Sequence, residues 1–192
     1  MGRDKNNPEI EWIIPKNRGI IPIGKVYCSK SLKKIVRKNE FSISFSKNFN
    51  EVINNCANRK TTWINSTIYD LFINLHQKGF AHSVEVSRNK VLVGGWYGLS
   101  LGSVFFAESM FSIFPNSSKL ALIAMMGKIN YGGFKVFDTQ FPSKHLSTLG
   151  GTSITKEEFE QKLQYTNDTS ADFNRFPNLK NWEEFLYYGT EK

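Results

Sequence analysis

Cysteine is scarce in this chain of 192 residues, with only Cys28 and Cys56. Two cysteines cannot build a disulfide framework, so reduced thiols are expected. The three histidines, His76, His82 and His145, show no ligand spacing, and no Cys-x-x-Cys pair exists. A metal site is therefore not expected. No Gly-x-x-x-x-Gly-Lys-Ser/Thr loop is present, which argues against a nucleoside triphosphatase. No apolar run approaches the ~18 residues that a membrane span needs. The opening MGRDKNNPEIEW is polar and has no signal-peptide core. The expectation is a soluble, cytoplasmic protein without a membrane partner and without repeats or low-complexity tracts.

What the chain does have is aromatic mass and a localised charge. Forty per cent of its residues are hydrophobic, with 16 Phe, 7 Tyr and 4 Trp, enough for a packed core. The net charge of +8 has one source. Between Lys16 and Lys38 stand eight basic residues and no acid; without them the chain carries 17 charges of each sign. A patch of this kind suits a polyanion, nucleic acid first and a membrane surface second.

Periodicity predicts a mixed layout. Ser31–Lys38 reads as a short helix with Leu32, Ile35 and Val36 in phase and its cations off that stripe. Glu9–Ile14 and Phe41–Phe45 alternate like strands. Helices are predicted over 49–58 and 65–77, the second ended by Gly79. Ala81–Val86 and Val91–Tyr97 flank a polar turn and predict a hairpin, with Leu99–Phe106 as a third strand. A helix over 117–131, a strand over 134–138, a short helix over 142–149 and a strand starting near Ile154 follow. Thr155 and Glu158 have capping-box spacing. The tail from Asp168, with Phe173, Phe176, Trp182, Phe185 and Tyr187, is expected to pack back on the body. Antiparallel strands mixed with helices in this order predict an α+β arrangement, not a doubly wound sheet.

Two constellations could carry chemistry. Gly98-Leu99-Ser100-Leu101-Gly102 matches a G-x-S-x-G elbow, and Asp138 and His145 follow in hydrolase order. The elbow needs a helix after the serine, yet Ser103–Phe106 is strand-like; two glycines at a strand bend explain the motif more simply. The second constellation is denser. Glu108 and Ser109 interrupt the apolar run 104–111, and a carboxylate among aromatics must be paired or raised in pKa unless it points to water. Asp138 and Gln140 close the following strand. One carboxylate and one amide make no strong base. They can orient a nucleophile with a pKa near ~8, such as an α-amino group.

Gly94-Gly95-Trp96-Tyr97-Gly98, Glu108-Ser109-Met110-Phe111-Ser112, Asn116-Ser117-Ser118-Lys119, Asp138-Thr139-Gln140 and His145-Leu146 stand in one order along the chain. With Thr62-Trp63-Ile64 and Ala81-His82-Ser83-Val84-Glu85, this order resembles the leucyl/phenylalanyl-tRNA–protein transferases from about residue 8 to 163. The resemblance implies transfer of Leu or Phe from aminoacyl-tRNA to the N-terminal Arg or Lys of an acceptor protein, which creates an N-degron. It also implies a GNAT-type acyltransferase domain, here 49–192, preceded by a small α/β part, here 1–48. The family's further N-terminal helical segment would end about where this chain begins, so that part is expected to be truncated. Two residues depart from the family pattern: Trp96 stands where Leu or Met is usual, and Ala107 where Gly is usual.

By the same resemblance, Gln140 accepts a hydrogen bond from the acceptor amine, Asp138 holds Gln140, and Glu108 lies beside both. The two carboxylates would favour a basic acceptor side chain. Trp96, Phe105, Met110 and Leu120 are expected around the apolar donor side chain, with Trp63, Ser109 and Asn116 as further substrate contacts. Lys16, Arg18, Lys33, Lys34 and Arg37 would meet tRNA phosphates, which position the nucleic acid without reading sequence. The implied chemistry needs no covalent intermediate and no cofactor, and a monomer is expected. A GNAT-type acyltransferase using another donor and a non-enzymatic RNA-binding module are the competing readings. Ser112-Ile113-Phe114-Pro115-Asn116 lacks the Gly-rich loop that coenzyme A binding would need.

Overall fold

The computed structural model describes residues 1–191 except 3, 6, 167–170 and 176–180, so Asp168 and Phe176 lie outside the described residues. Along the chain run β1 (Asn17–Ile21), α1 (Lys30–Arg37), β2 (Phe41–Phe45), α2 (Phe49–Ala57), α3 (Ser66–Gln77), β3 (Ala81–Arg88), β4 (Val91–Leu101) and β5 (Val104–Ser112). They are followed by α4 (Ser117–Tyr131), β6 (Val136–Gln140), α5 (Lys144–Ser147), β7 (Thr152–Thr155), α6 (Lys156–Gln164) and α7 (Trp182–Gly189). The architecture is α+β, as the periodicity implied. All seven strands form one sheet in the order β2-β3-β4-β5-β6-β1-β7. Every pairing is antiparallel except β5 with β6.

Strand alternation divides the apolar residues between two faces. On one face Val84, Trp96, Phe105 and Phe137 pack under α4 together with α1 and α7 residues. On the other, Tyr97 and Phe111 pack against α2 and α3, while Ile20, Val104 and Val136 pack with Phe159 of α6. The α4 helix is buried on nearly every side, including Lys128, whose ammonium lies 5.3 Å from the Phe45 ring centroid and 5.6 Å from that of Phe173. A helix apolar all round must be covered on both sides, and α7, carrying Trp182 and Phe185, supplies the second cover.

Three expectations shift. Glu9–Ile14 makes only one isolated bridge, between Ile10 and Gly2. The run from Ile20 to Gly24, where Pro22 and Gly24 interrupt the apolar residues and no element is predicted, begins with the end of strand β1, inserted between β6 and β7. The chain does not break at Gly98. β4 continues to Leu101 and turns at Gly102, whose φ of +55° suits glycine. Gly98 is needed for closeness instead, because a β-carbon there would collide with the Phe106 carbonyl and the Phe105 ring. Gly98→Ala is therefore expected to cost about 1–3 kcal/mol. A chemical denaturation curve would show this as a lower midpoint; an unchanged midpoint would mean that β5 yields freely.

Candidate active site

The site is made by an irregularity between β4 and β5. Gly98 pairs with Ala107 and Tyr97 with Ser109, so Glu108 is an extra residue, a β-bulge. A bulge re-aims side chains locally. Ala107 remains with the α4-side core, while Glu108 lines a cleft on the opposite face. The parallel β5–β6 pairing ends at Phe106 and Asp138, just where the bulge begins.

Asp138 is fully buried and accepts a fork of two hydrogen bonds from Arg18, at 2.9 and 2.5 Å. The guanidinium also lies over the Phe159 ring, 4.7 Å from its centroid. Asp138 Oδ1 accepts the backbone N–H of Gln140 at 2.8 Å as well, and Gln140 has a left-handed φ of +64°. The Gln140 Nε2 donates to the Ala107 carbonyl at 3.4 Å, across the parting strands. Burial pushes the Glu108 carboxyl up from the ordinary 4.5 to about 7; the hydrogen bond with Gln140 opposes the rise, and the Asp138 charge adds to it.

These groups open into a cleft of about 520 Å³. Its apolar walls include Trp12, Ile13, Trp63, Leu71, Phe72, Leu75 and Phe141, and its polar members are Glu11, Arg18, Glu108 and Gln140. Residues near the N-terminus form one side of it. They are held by the Met1 amine donating to the Glu11 carbonyl at 2.8 Å and by Asn65 Nδ2 donating to the Asn7 carbonyl at 2.6 Å.

The predicted residues distribute unevenly. Glu108, Asp138, Gln140 and Trp63 come together. Arg18 joins them as the partner of Asp138, whereas Lys33, Lys34 and Arg37 lie on α1, beside a stripe buried in the α4-side core. Lys16 is exposed. Trp96 and Phe105 are core residues under α4, and Leu120 belongs to α4 and faces the same core, away from the cleft. Trp96 donates from Nε1 to the Ser118 carbonyl at 3.0 Å and packs on Phe137. Met110 is half-buried beside them and also borders a second hollow with Arg59 and Ile113. Ser109 accepts from Arg59, which also reaches the Met110 carbonyl. Asn116 caps α4 and does not line the cleft.

The hydrolase order does not assemble. Ser100 sits within β4; its Oγ lies 3.1 Å from His82 Nε2 and donates to the Phe80 carbonyl, while Asp138 is engaged by Arg18 and His145 is exposed. Sequence reasoning missed Trp12, Leu71, Phe72, Leu75 and Phe141, whose periodicity is that of ordinary packing. Among the described residues no three of His, Cys, Asp and Glu gather as a metal site, and no helix is long and apolar enough to cross a membrane.

Fold and site together define an α+β protein with a partly desolvated carboxyl and an anchored amide at a bulged strand. The sequence model of the leucyl/phenylalanyl-tRNA protein transferases matches residues 20–164. A leucyl/phenylalanyl-tRNA–protein transferase of Ruegeria sp. (strain TM1040) is 43% identical over 173 residues, 90% of this chain and 82% of that protein. Proteins of the same name are 37% identical over 177 residues in Dinoroseobacter shibae and 38% over 181 in Maricaulis maris, covering 92% of this chain and 79% and 84% of those proteins. The chain belongs to the leucyl/phenylalanyl-tRNA protein transferase family.

Removing Arg18 leaves a buried carboxylate without its cation. Arg18→Ala is expected to lower stability by roughly 3–5 kcal/mol. The double variant with Asp138→Asn should recover part of that loss. Equal midpoints for Arg18→Ala and the parent in urea would show the pair to be dispensable.

Proposed function

We propose that this aminoacyltransferase moves Leu or Phe from aminoacyl-tRNA to the N-terminal Arg or Lys of an acceptor protein. The observation that carries the reading is the Glu108–Gln140–Asp138–Arg18 arrangement at the head of an aromatic cleft. The reaction is aminolysis of an ester. The acceptor ammonium, with a pKa near ~8, gives up a proton. Glu108, at about 7, is matched to take it. The amine attacks the ester carbonyl, the bond to the ribose oxygen breaks, and that oxygen takes up a proton. Gln140 accepts a hydrogen bond from the incoming amine through its side-chain oxygen. Asp138 fixes Gln140 through the backbone N–H bond and takes no part in proton transfer, since Arg18 neutralises it. Preference for a basic acceptor side chain then rests on Glu108 and on Glu11 at the rim, not on Asp138.

Positioning supplies most of the remaining catalysis. Trp63 and Trp12 offer ring faces on which the terminal base of the tRNA can stack. Lys33, Lys34, Arg37 and Lys16 hold phosphates farther along the acceptor stem. Within 1–48, Lys16 and α1 serve the tRNA while β1 and β2 complete the common sheet and Arg18 holds Asp138; 49–192 supply the rest of a GNAT-type transfer unit, in keeping with the parallel β5–β6 pair beside the site. The donor side chain is assigned to Trp96, Phe105 and Met110, with Leu120 behind them; because these pack on the α4 face, it reaches them only by passing between β5 and β6 where their pairing ends beside Ala107.

Transfer of labelled Leu from charged tRNA to a peptide starting with Arg tests the reading directly, and a pure RNA binder would label nothing. Because Glu108 must be ionised to accept the proton, the rate should rise with pH through about 7. In Glu108→Gln that rise should vanish and the rate should fall tenfold or more, leaving only the limb of the amine near ~8. A Glu108→Gln variant with the parent's profile would remove Glu108 as the base.

Trp96 fills much of the proposed donor layer. Trp96→Leu should lower the melting temperature and raise the Phe/Leu ratio of kcat/KM, by about tenfold for each ~1.4 kcal/mol of crowding relieved. A lowered melting temperature with an unchanged ratio would leave Trp96 as core alone.

A further inference from the structure

Among the described residues, one buried side-chain oxygen or nitrogen has no hydrogen-bond partner: the hydroxyl of Tyr97. Such a group costs free energy unless it serves a second state of the protein. Tyr97 is fully buried on β4 and stands opposite Ser109, next to the bulge that turns Glu108. Its ring is held edge-on between Phe49 and Phe72, with centroids 5.8 and 5.1 Å away. The hydroxyl therefore has no route to solvent by rotation of its own ring.

Three ionisable groups act electrostatically on that hydroxyl: Cys56, Glu108 and Arg59. Cys56 and Ser109 hydrogen-bond each other. Arg59 is spent on Ser109 and the Met110 carbonyl. Glu108 remains, with a single side-chain donor, Gln140. A carboxylate can accept about four hydrogen bonds.

We infer that Tyr97 is a positioning residue whose hydroxyl donates a hydrogen bond to the ionised Glu108, fixing the carboxylate's orientation and its affinity for the amine's proton. The inference rests on Glu108 being the proton acceptor proposed above. The groups that face Glu108 are Asp138 and Gln140 from β6, Arg18 from β1, the Met1 amine and Tyr97 from β4, with Cys56 of α2 and Arg59 just past that helix acting on the tyrosine. Of these, Tyr97 brings a fully buried donor that has no partner.

The test is the titration of Glu108 in the full chain, followed by carbon-13 NMR of labelled glutamate carboxyls. The Glu108 signal is identified by its loss in Glu108→Gln. A donor to the carboxylate favours the charged form, so removing it must raise the midpoint. Tyr97→Phe is expected to move the Glu108 midpoint upward from about 7 by ~0.5–1 pH unit. The acid limb of the transfer rate should move with it, and the melting temperature should hold or rise because an unpaired buried hydroxyl is gone. A carboxyl midpoint left in place would make Tyr97 merely structural, whatever the melting temperature does, and would overturn the inference; so would a downward shift. Because the titration needs no substrate, it reads Tyr97 even if the transfer assay fails, and the two failures remain separate.

Discussion

The fork between Arg18 and Asp138 adds a side-chain tie to the backbone pairing of β1 with β6. The two residues lie 120 positions apart. A fully buried carboxylate is tolerated only when its lone pairs are taken up by donors. Arg18 supplies two, and the backbone of Gln140 a third. The same contacts dock β1 against β6, stabilise a left-handed residue at the strand end and aim an amide at Glu108. With one partner missing, the charge would remain buried and the end of β6 would lose what bends it.

The second constraint is the spare residue in β5. Before the bulge, alternation from Phe105 puts Ala107 in the α4-side core and Glu108 on the cleft face; the spare residue then resets the phase, so that Met110 returns to the α4 side and Phe111 to the other. Desolvation there, rather than any single neighbouring charge, moves the carboxyl into the neutral range. The glycine at position 98 lets β4 lie close enough to β5 for this register. Site chemistry and sheet packing therefore depend on the same few residues.

The long, strongly patterned elements were legible without coordinates. The phase of Ile68 and Phe72 in α3, the strict alternation of Phe41–Phe45 and the Thr155–Glu158 capping box are local signals, and each stands as read. Glu108, Asp138 and Gln140 were conspicuous too, as polar groups inside apolar strands, and the structure brings them together. β1 was not legible, since Pro22 and Gly24 crowd a run of five residues whose strand character comes from being inserted between β6 and β7. The helix at 182–189 was likewise hidden, since its aromatic residues are arranged to cover α4.

Composition and order by themselves determined the α+β class, the basic stretch over 16–38 and the family, since each depends on which residues occur and in what sequence. Only the tertiary structure decided what each side chain meets. Arg18 reads as one more cation of a patch, yet it is consumed by a buried acid. Trp96 and Tyr97 are adjacent, and the pleat sends one beneath α4 and the other between Phe49 and Phe72. Ser100 precedes an aspartate and a histidine in suggestive order, but its hydroxyl meets His82 instead. The reason is common to all three. Burial and pairing are set by contacts between residues far apart in the chain, and a local pattern carries no record of which distant partner will close the distance.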